Sequence, residues 1–111
     1  MKESQIQKAI LQYLAARHIF ALRMQTGASI SEYGGKTRMI RYGVAGCADI
    51  LAFKRERWAG VNFVRPLWLE VKSETGKQSE LQKSFQEQVE ADGHLYYIVR
   101  SIDGVVEALK P

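Results

Sequence analysis

Three side chains in this sequence have types and spacing suited to one piece of chemistry. Asp49 opens the apolar run Ala48 to Phe53 (ADILAF), and Glu70 and Lys72 stand two residues apart in Leu67 to Lys72 (LWLEVK). Residues two apart on a strand project from the same face. Two carboxylates can hold a hard divalent cation such as Mg²⁺ through oxygen, and the main-chain carbonyl of Val71 offers a third oxygen. A cation held there polarises a phosphate and lowers the pKa of water. The lysine, as a point charge, stabilises negative charge developing on the phosphoryl group. The set fits metal-assisted phosphodiester hydrolysis. Glu-x-Lys is also common on solvated strand faces, but LWLEVK is apolar enough to lie centrally in a sheet, where a charged pair is costly.

The elements that must position these residues follow from periodicity. Ile6, Ala9, Ile10, Tyr13 and Leu14 recur on one helical face, which predicts a helix from about Ser4 to Arg17. Ile19 to Met24 is expected as a strand. Residues 25–37 (QTGASISEYGGKT), with three glycines, are expected as a loop, followed by a strand from Arg38 to Tyr42. Gly43 and Gly46 bracket a turn ahead of Asp49. After ADILAF, KRERWAG reads as a charged connection to a strand at Val61 to Val64, and Pro66 is expected to interrupt before Leu67. Along LWLEVK, Leu67, Leu69 and Val71 face one way and Trp68, Glu70 and Lys72 the other.

Ser79-Glu80-Leu81-Gln82 is a capping box that starts a second helix, with Leu81, Phe85 and Val89 as its apolar stripe and Gly93 as its end. Leu95 to Val99 is the last strand, and a short helix near Gly104 to Leu109 closes the chain. Short turns make the early strands antiparallel, and the strand–helix–strand unit over 67–99 is expected as a right-handed parallel crossover. The fold class is α/β: a mixed β-sheet flanked by helices, in a single domain over residues 1–111.

Composition bounds the function. The 111 residues are 46% hydrophobic and 25% charged, ordinary for a globular domain. No apolar run approaches the ~20 residues that span a bilayer, and the polar start MKESQIQKAI lacks the apolar core of a signal peptide. The lone Cys47 excludes an internal disulfide and a multi-cysteine metal site. A cytoplasmic protein is expected, with no membrane partner. The net charge of +4 is unevenly placed: residues 1–65 carry 11 Lys/Arg against 4 Asp/Glu, and residues 66–111 carry 5 against 8. A basic half suits a polyanion such as DNA. Lys36, Arg38, Arg41, Lys54, Arg55 and Arg57 are candidate phosphate contacts, or simply a solvated basic surface. Tyr33, Trp58 and Trp68 offer rings that stack on bases, although Trp68 also suits the core. His18 and His94 lack metal-ligand spacing, and His94, after a helix-ending glycine, is expected at the surface. Cys47 reads as a small packed residue.

Gly46-Cys47-Ala48-Asp49, Leu69-Glu70-Val71-Lys72, a glutamine in the following helix (Gln82) and the amino-terminal Lys2-Glu3-Ser4-Gln5-Ile6-Gln7 together resemble the VRR-NUC nucleases of the PD-(D/E)xK superfamily. Ala48 stands where that family usually has proline; proline would stiffen the turn but supplies no ligand. The resemblance implies a restriction-endonuclease-like fold. It implies Asp49 and Glu70 as metal ligands, Lys72 as the catalytic lysine, Glu3 as completing the acidic cluster and Gln82 as orienting the site. Gln82 is also the N3 residue of the capping box, and Glu3 lies where a carboxylate meets a helix dipole favourably. The resemblance further implies Mg²⁺, with Mn²⁺ substituting. Short members of the family resemble virus-encoded enzymes that cut Holliday junctions, in bacterial or virus-infected cells, and two symmetric cuts call for a homodimer. A nuclease for flaps, nicks or single strands, or a catalytically silent DNA-binding module, are the alternative expectations.

Overall fold

The computed structural model describes residues 1–24, 27–42 and 44–111, with side chains for 1–24, 34–37 and 44–111. Helix α1 (Glu3–Ala16) leads into β1 (Ala21–Arg23), then β2 (Gly27–Tyr33), β3 (Lys36–Tyr42), β4 (Ile50–Trp58) and β5 (Val61–Val71). Helix α2 (Glu80–Ala91), β6 (Leu95–Val99) and α3 (Ile102–Leu109) complete the chain. Strands β1-β4-β5-β6 form a four-stranded sheet, and β2-β3 form a separate two-stranded one. The first three strands of the larger sheet are antiparallel and β6 joins β5 in parallel, so the sheet is mixed, as expected. No helix among the described residues is long and apolar enough to cross a membrane.

Period-two alternation gives each face of this sheet its own core. Ile50, Ala52, Leu67, Leu69, Val71 and Val99 pack against Ile6, Ile10 and Leu14 of α1 and against Val105 and Ala108 of α3. On the opposite face Trp68 and Tyr96 meet Phe85 and Val89 of α2. Trp68 contacts Phe85 edge-on, with ring centroids 5.0 Å apart. Both sides of LWLEVK are thus covered by helices, and the strand carrying Glu70 is buried on each.

Four expectations need correction. Residues 27–33 are a strand, because Gly34 and Gly35 both take positive φ (59° and 76°) and close a two-residue hairpin with Tyr33 opposite Lys36; Gln25, Thr26 and Gly43 lie outside the described residues. The charged run after Phe53 continues β4 as far as Trp58, and Ala59 and Gly60 form its two-residue turn. Pro66 does not break β5. The Phe53 N–H points to β1, donating to the Phe20 carbonyl at 3.0 Å, so Pro66 opposite it faces away from β4. On the β6 side the ladder begins only at Leu67, and no partner needs the missing N–H. Finally, Leu81 is 60% exposed, and the buried stripe of α2 is Phe85 and Val89.

Candidate active site

Asp49 lies one residue before β4. Continuing the register in which Ile50 faces Leu69 puts Asp49 opposite Glu70. The Asp49 carbonyl is turned to β1, accepting from Met24 N–H at 2.7 Å. The pair therefore occupies the narrow, non-hydrogen-bonded position, where side chains approach most closely. The Asp49 carboxylate Oδ2 accepts the Val71 N–H at 2.8 Å, closing the ladder that the backbone leaves open. The N–H and carbonyl of one strand residue point to the same side, so the Val71 carbonyl faces the Asp49 side too.

Glu70 is 2% exposed. Its Oε1 accepts from Gln82 Nε2 at 2.8 Å and lies 3.8 Å from Lys72 Nζ. Its Oε2 is buried with no hydrogen-bond partner. Burial, then the Asp49 charge, push its pKa up to about 8, against the pull of Lys72; the charge of Glu3 adds to the rise. A carboxylate oxygen left without a partner beside a second carboxylate lacks a positive charge, which a divalent cation supplies. Asp49, Glu70 and the Val71 carbonyl fit such an ion by donor chemistry. Among the described residues no three His, Cys, Asp or Glu side chains gather to hold a metal, so a cation here would rest on two carboxylates and a main-chain carbonyl.

Gln82 makes two kinds of contact at once. Its Oε1 accepts the Ser79 N–H at 2.8 Å, completing the capping box of α2 with Ser79 Oγ accepting Gln82 N–H at 3.2 Å. Its Nε2 is left to donate to Glu70. Glu3, in the first turn of α1, reaches the loop after Lys72: its Oε2 accepts the Ser73 N–H at 3.3 Å. A Cβ on Gly76 would lie 3.2 Å from that same oxygen and 3.4 Å from Lys72 Cδ, so the loop is closed tightly over both side chains.

Arg100 was missed from the sequence, and Gly46 was read there only as a turn and motif glycine. Arg100 Nη1 donates to the carbonyls of Ser73 (2.5 Å) and Gly76 (2.8 Å), tying down the loop that follows Lys72. Gly46 has φ +77°, and a Cβ there would sit 2.3 Å from the Leu81 carbonyl oxygen. Only glycine lets the turn before Asp49 dock on the first turn of α2, which carries Gln82. The motif Gly-x-x-Asp marks Gly46 in the sequence; nothing local marks Arg100, which acts across 24 to 27 residues.

Of the expected phosphate contacts, Lys54, Arg55 and Arg57 lie away from the acids along β4. Lys54 is 6% exposed; its Nζ donates to the Lys110 carbonyl at 2.6 Å, at the end of α3, and pairs with Glu56 at 3.2 Å. Those partners hold its ammonium inside the fold, which corrects its reading as a phosphate contact. Arg55 and Arg57 are exposed on β4, roughly 20–27 Å along the strand from Asp49 at 3.4 Å per residue. Lys36 is exposed beside the hairpin turn; Arg38 and Arg41 lie on β3 and Tyr33 on β2, and the side chains of these three are outside the described ones. Trp58 is 77% exposed at the tip of the β4–β5 arm. His94 is half-buried, not at the surface: Trp68 Nε1 donates to its Nδ1 at 2.9 Å. Cys47 is half-buried, and burial followed by the charges of Glu70 and Asp49 pushes its thiol pKa up, so it is a poor nucleophile.

Comparison of the chain with protein-family models, with curated proteins and with solved structures yields no match.

Proposed function

We propose that this protein is a Mg²⁺-dependent structure-specific endodeoxyribonuclease of the VRR-NUC type, with a restriction-endonuclease-like core, and that it resolves Holliday junctions as a homodimer. The observation that supports the hydrolytic reading is the buried Glu70 oxygen without a partner, set beside Asp49 and on the face of Lys72. Apolar replacement would be cheaper than a buried carboxylate with one oxygen unpartnered unless the site binds a cation.

A divalent cation held by Asp49, Glu70 and the Val71 carbonyl would supply Lewis acidity toward a phosphate oxygen and lower the pKa of water. The protein does the rest by placement. Lys72 stands on the same strand face as Glu70 and balances charge growing on the phosphoryl oxygens. Gln82 fixes one oxygen of Glu70, leaving the other for the cation. The Val71 N–H holds Asp49 in its rotamer. Glu3, anchored on Ser73 N–H, adds negative charge at the rim and can orient water. The junction preference and the dimer rest on the motif resemblance and on the symmetry of paired cuts.

The test is a cleavage panel with labelled four-way junction, flap, nicked duplex, duplex and single strands, in Mg²⁺, Mn²⁺ and EDTA. Metal-dependent paired cuts in the junction, faster than in duplex, are expected. Junction cutting no faster than duplex cutting overturns the substrate; cutting unchanged in EDTA overturns the metal.

A further inference from the structure

A groove of about 240 Å³ runs between α1 and β1, lined by Ser4, Gln7, Lys8, Leu11 and Arg23. Ser4, Gln7, Lys8 and Leu11 recur at helical spacing and form one stripe of α1. Leu11 packs on the core and makes the floor. Lys8 and Arg23 are exposed, and neither joins an ion pair among the described residues. The groove lies on the α1 face of the sheet, and its backbone adjoins that of the acidic residues, whose side chains leave from the other face. Glu3 precedes Ser4 on α1, and Arg23 pairs with Ile50 while its neighbour Met24 hydrogen-bonds the Asp49 carbonyl at 2.7 Å.

The juxtaposition has an electrostatic logic. Glu3 and Asp49 repel a polyanion from the place where it must be cut, and Lys72 and Lys54 already face carboxylates. Two uncompensated cations on either wall of an adjoining channel offset that repulsion. Gln7 and Ser4 can donate hydrogen bonds to phosphate oxygens between them. We propose that this groove is a binding subsite for a backbone phosphate of the substrate where it passes round the β1 edge of the sheet, gripped by Lys8 from α1 and Arg23 from β1. The proposal rests on the nuclease reading. It gives α1 and the three-residue strand β1 a role in positioning substrate, independent of base sequence.

The experiment measures binding and cutting separately. Fluorescence anisotropy with a labelled junction in EDTA, across a salt series, gives the slope of log Kobs against log salt. Each lost phosphate contact makes that slope shallower by about 0.9 on duplex arms. Lys8→Gln/Arg23→Gln is expected to make it shallower by about one to two and to raise KM roughly tenfold, with kcat within about threefold of the parent. Lys8→Arg should restore most of the affinity that Lys8→Gln loses. Lys110→Gln, a charge loss at the end of α3 where Lys110 pairs with Glu107, should leave slope and KM unchanged. An unchanged slope in the double variant, with junction cutting intact, overturns the groove and leaves the nuclease reading standing. A reduced slope in a protein that cuts nothing overturns the nuclease reading and leaves the groove as a phosphate site. Absence of binding by the parent chain overturns both.

Discussion

Glu70 is a carboxylic acid held out of water next to another carboxylate, and that arrangement has a pH signature. Its pKa is about 8 in the fold against 4.5 in an ordinary setting. Between those values the folded state keeps a proton that the unfolded chain has lost. In metal-free protein its contribution to stability is therefore full below about pH 4.5 and is lost as pH rises toward 8, at up to ~1.4 kcal/mol per pH unit. Glu70→Gln stays neutral, so its urea midpoint in EDTA should be nearly flat over this range and exceed the parent's at pH 8. Parallel curves for the two proteins would remove the claim that this carboxyl is strained. Adding Mn²⁺ at pH 8 should raise the parent's midpoint and not that of Glu70→Gln, because a bound ion replaces the proton. Asp49→Ala and Lys72→Ala should each lower junction cutting by at least about a thousandfold while junction affinity in EDTA stays within a few-fold. Equal loss of binding in both would assign these residues to structure alone.

At the scale of elements, the site is where two helices and two strands are held in register. Ser79 and Gln82 cap α2, but only Gln82 also touches Glu70. Ser79→Ala should cost about 1 kcal/mol by thermal denaturation and leave kcat within about threefold. Gln82→Ala should cost a similar amount and lower kcat by about ten- to a hundredfold, since Glu70 then loses its donor. Gly46→Ala should cost more than either, about 2 kcal/mol or above, because it adds a left-handed backbone penalty to a clash with the α2 backbone. Lys54 ties β4 to the end of α3 by a buried ammonium-to-carbonyl bond. Lys54→Ala is expected to destabilise by about 2–3 kcal/mol, leaving one helix-end carbonyl unpaired, with no change in the salt slope of DNA binding. A flatter slope in that variant would return Lys54 to the phosphate-contacting surface.

At the scale of the whole molecule, the acidic site sits at the end of the sheet where β4 begins, β5 ends and α2 starts, while the β4–β5 arm extends away from it to the exposed Trp58. Arg55 and Arg57 on that arm are therefore remote from the acids along the strand, and the α1–β1 groove supplies further positive charge. Paired cutting needs two such sites. Sedimentation equilibrium at micromolar concentration should give twice the chain mass, and a monomer there that still makes paired cuts would overturn the dimer.

Much of this was legible in the sequence, because alternation and capping are local. The two-residue period of LWLEVK set Glu70 and Lys72 on one face and Leu69 and Val71 on the other, and the capping box fixed where α2 starts. Residues 27–33 were misread because two consecutive glycines mark a loop and a tight hairpin equally well. Pro66 was misread because its cost depends on which neighbour its nitrogen faces, which is a property of the sheet. Residue types and spacing by themselves settled that an acid precedes one apolar strand and that Glu-x-Lys closes another. Only the tertiary structure decided that Asp49 stands opposite Glu70, that Lys54 serves a helix end, that Arg100 clamps a distant loop and that Gln82 caps and donates at once. Those are contacts between segments far apart in the chain, and burial, charge and hydrogen bonding across such distances are set by packing, which no local pattern encodes.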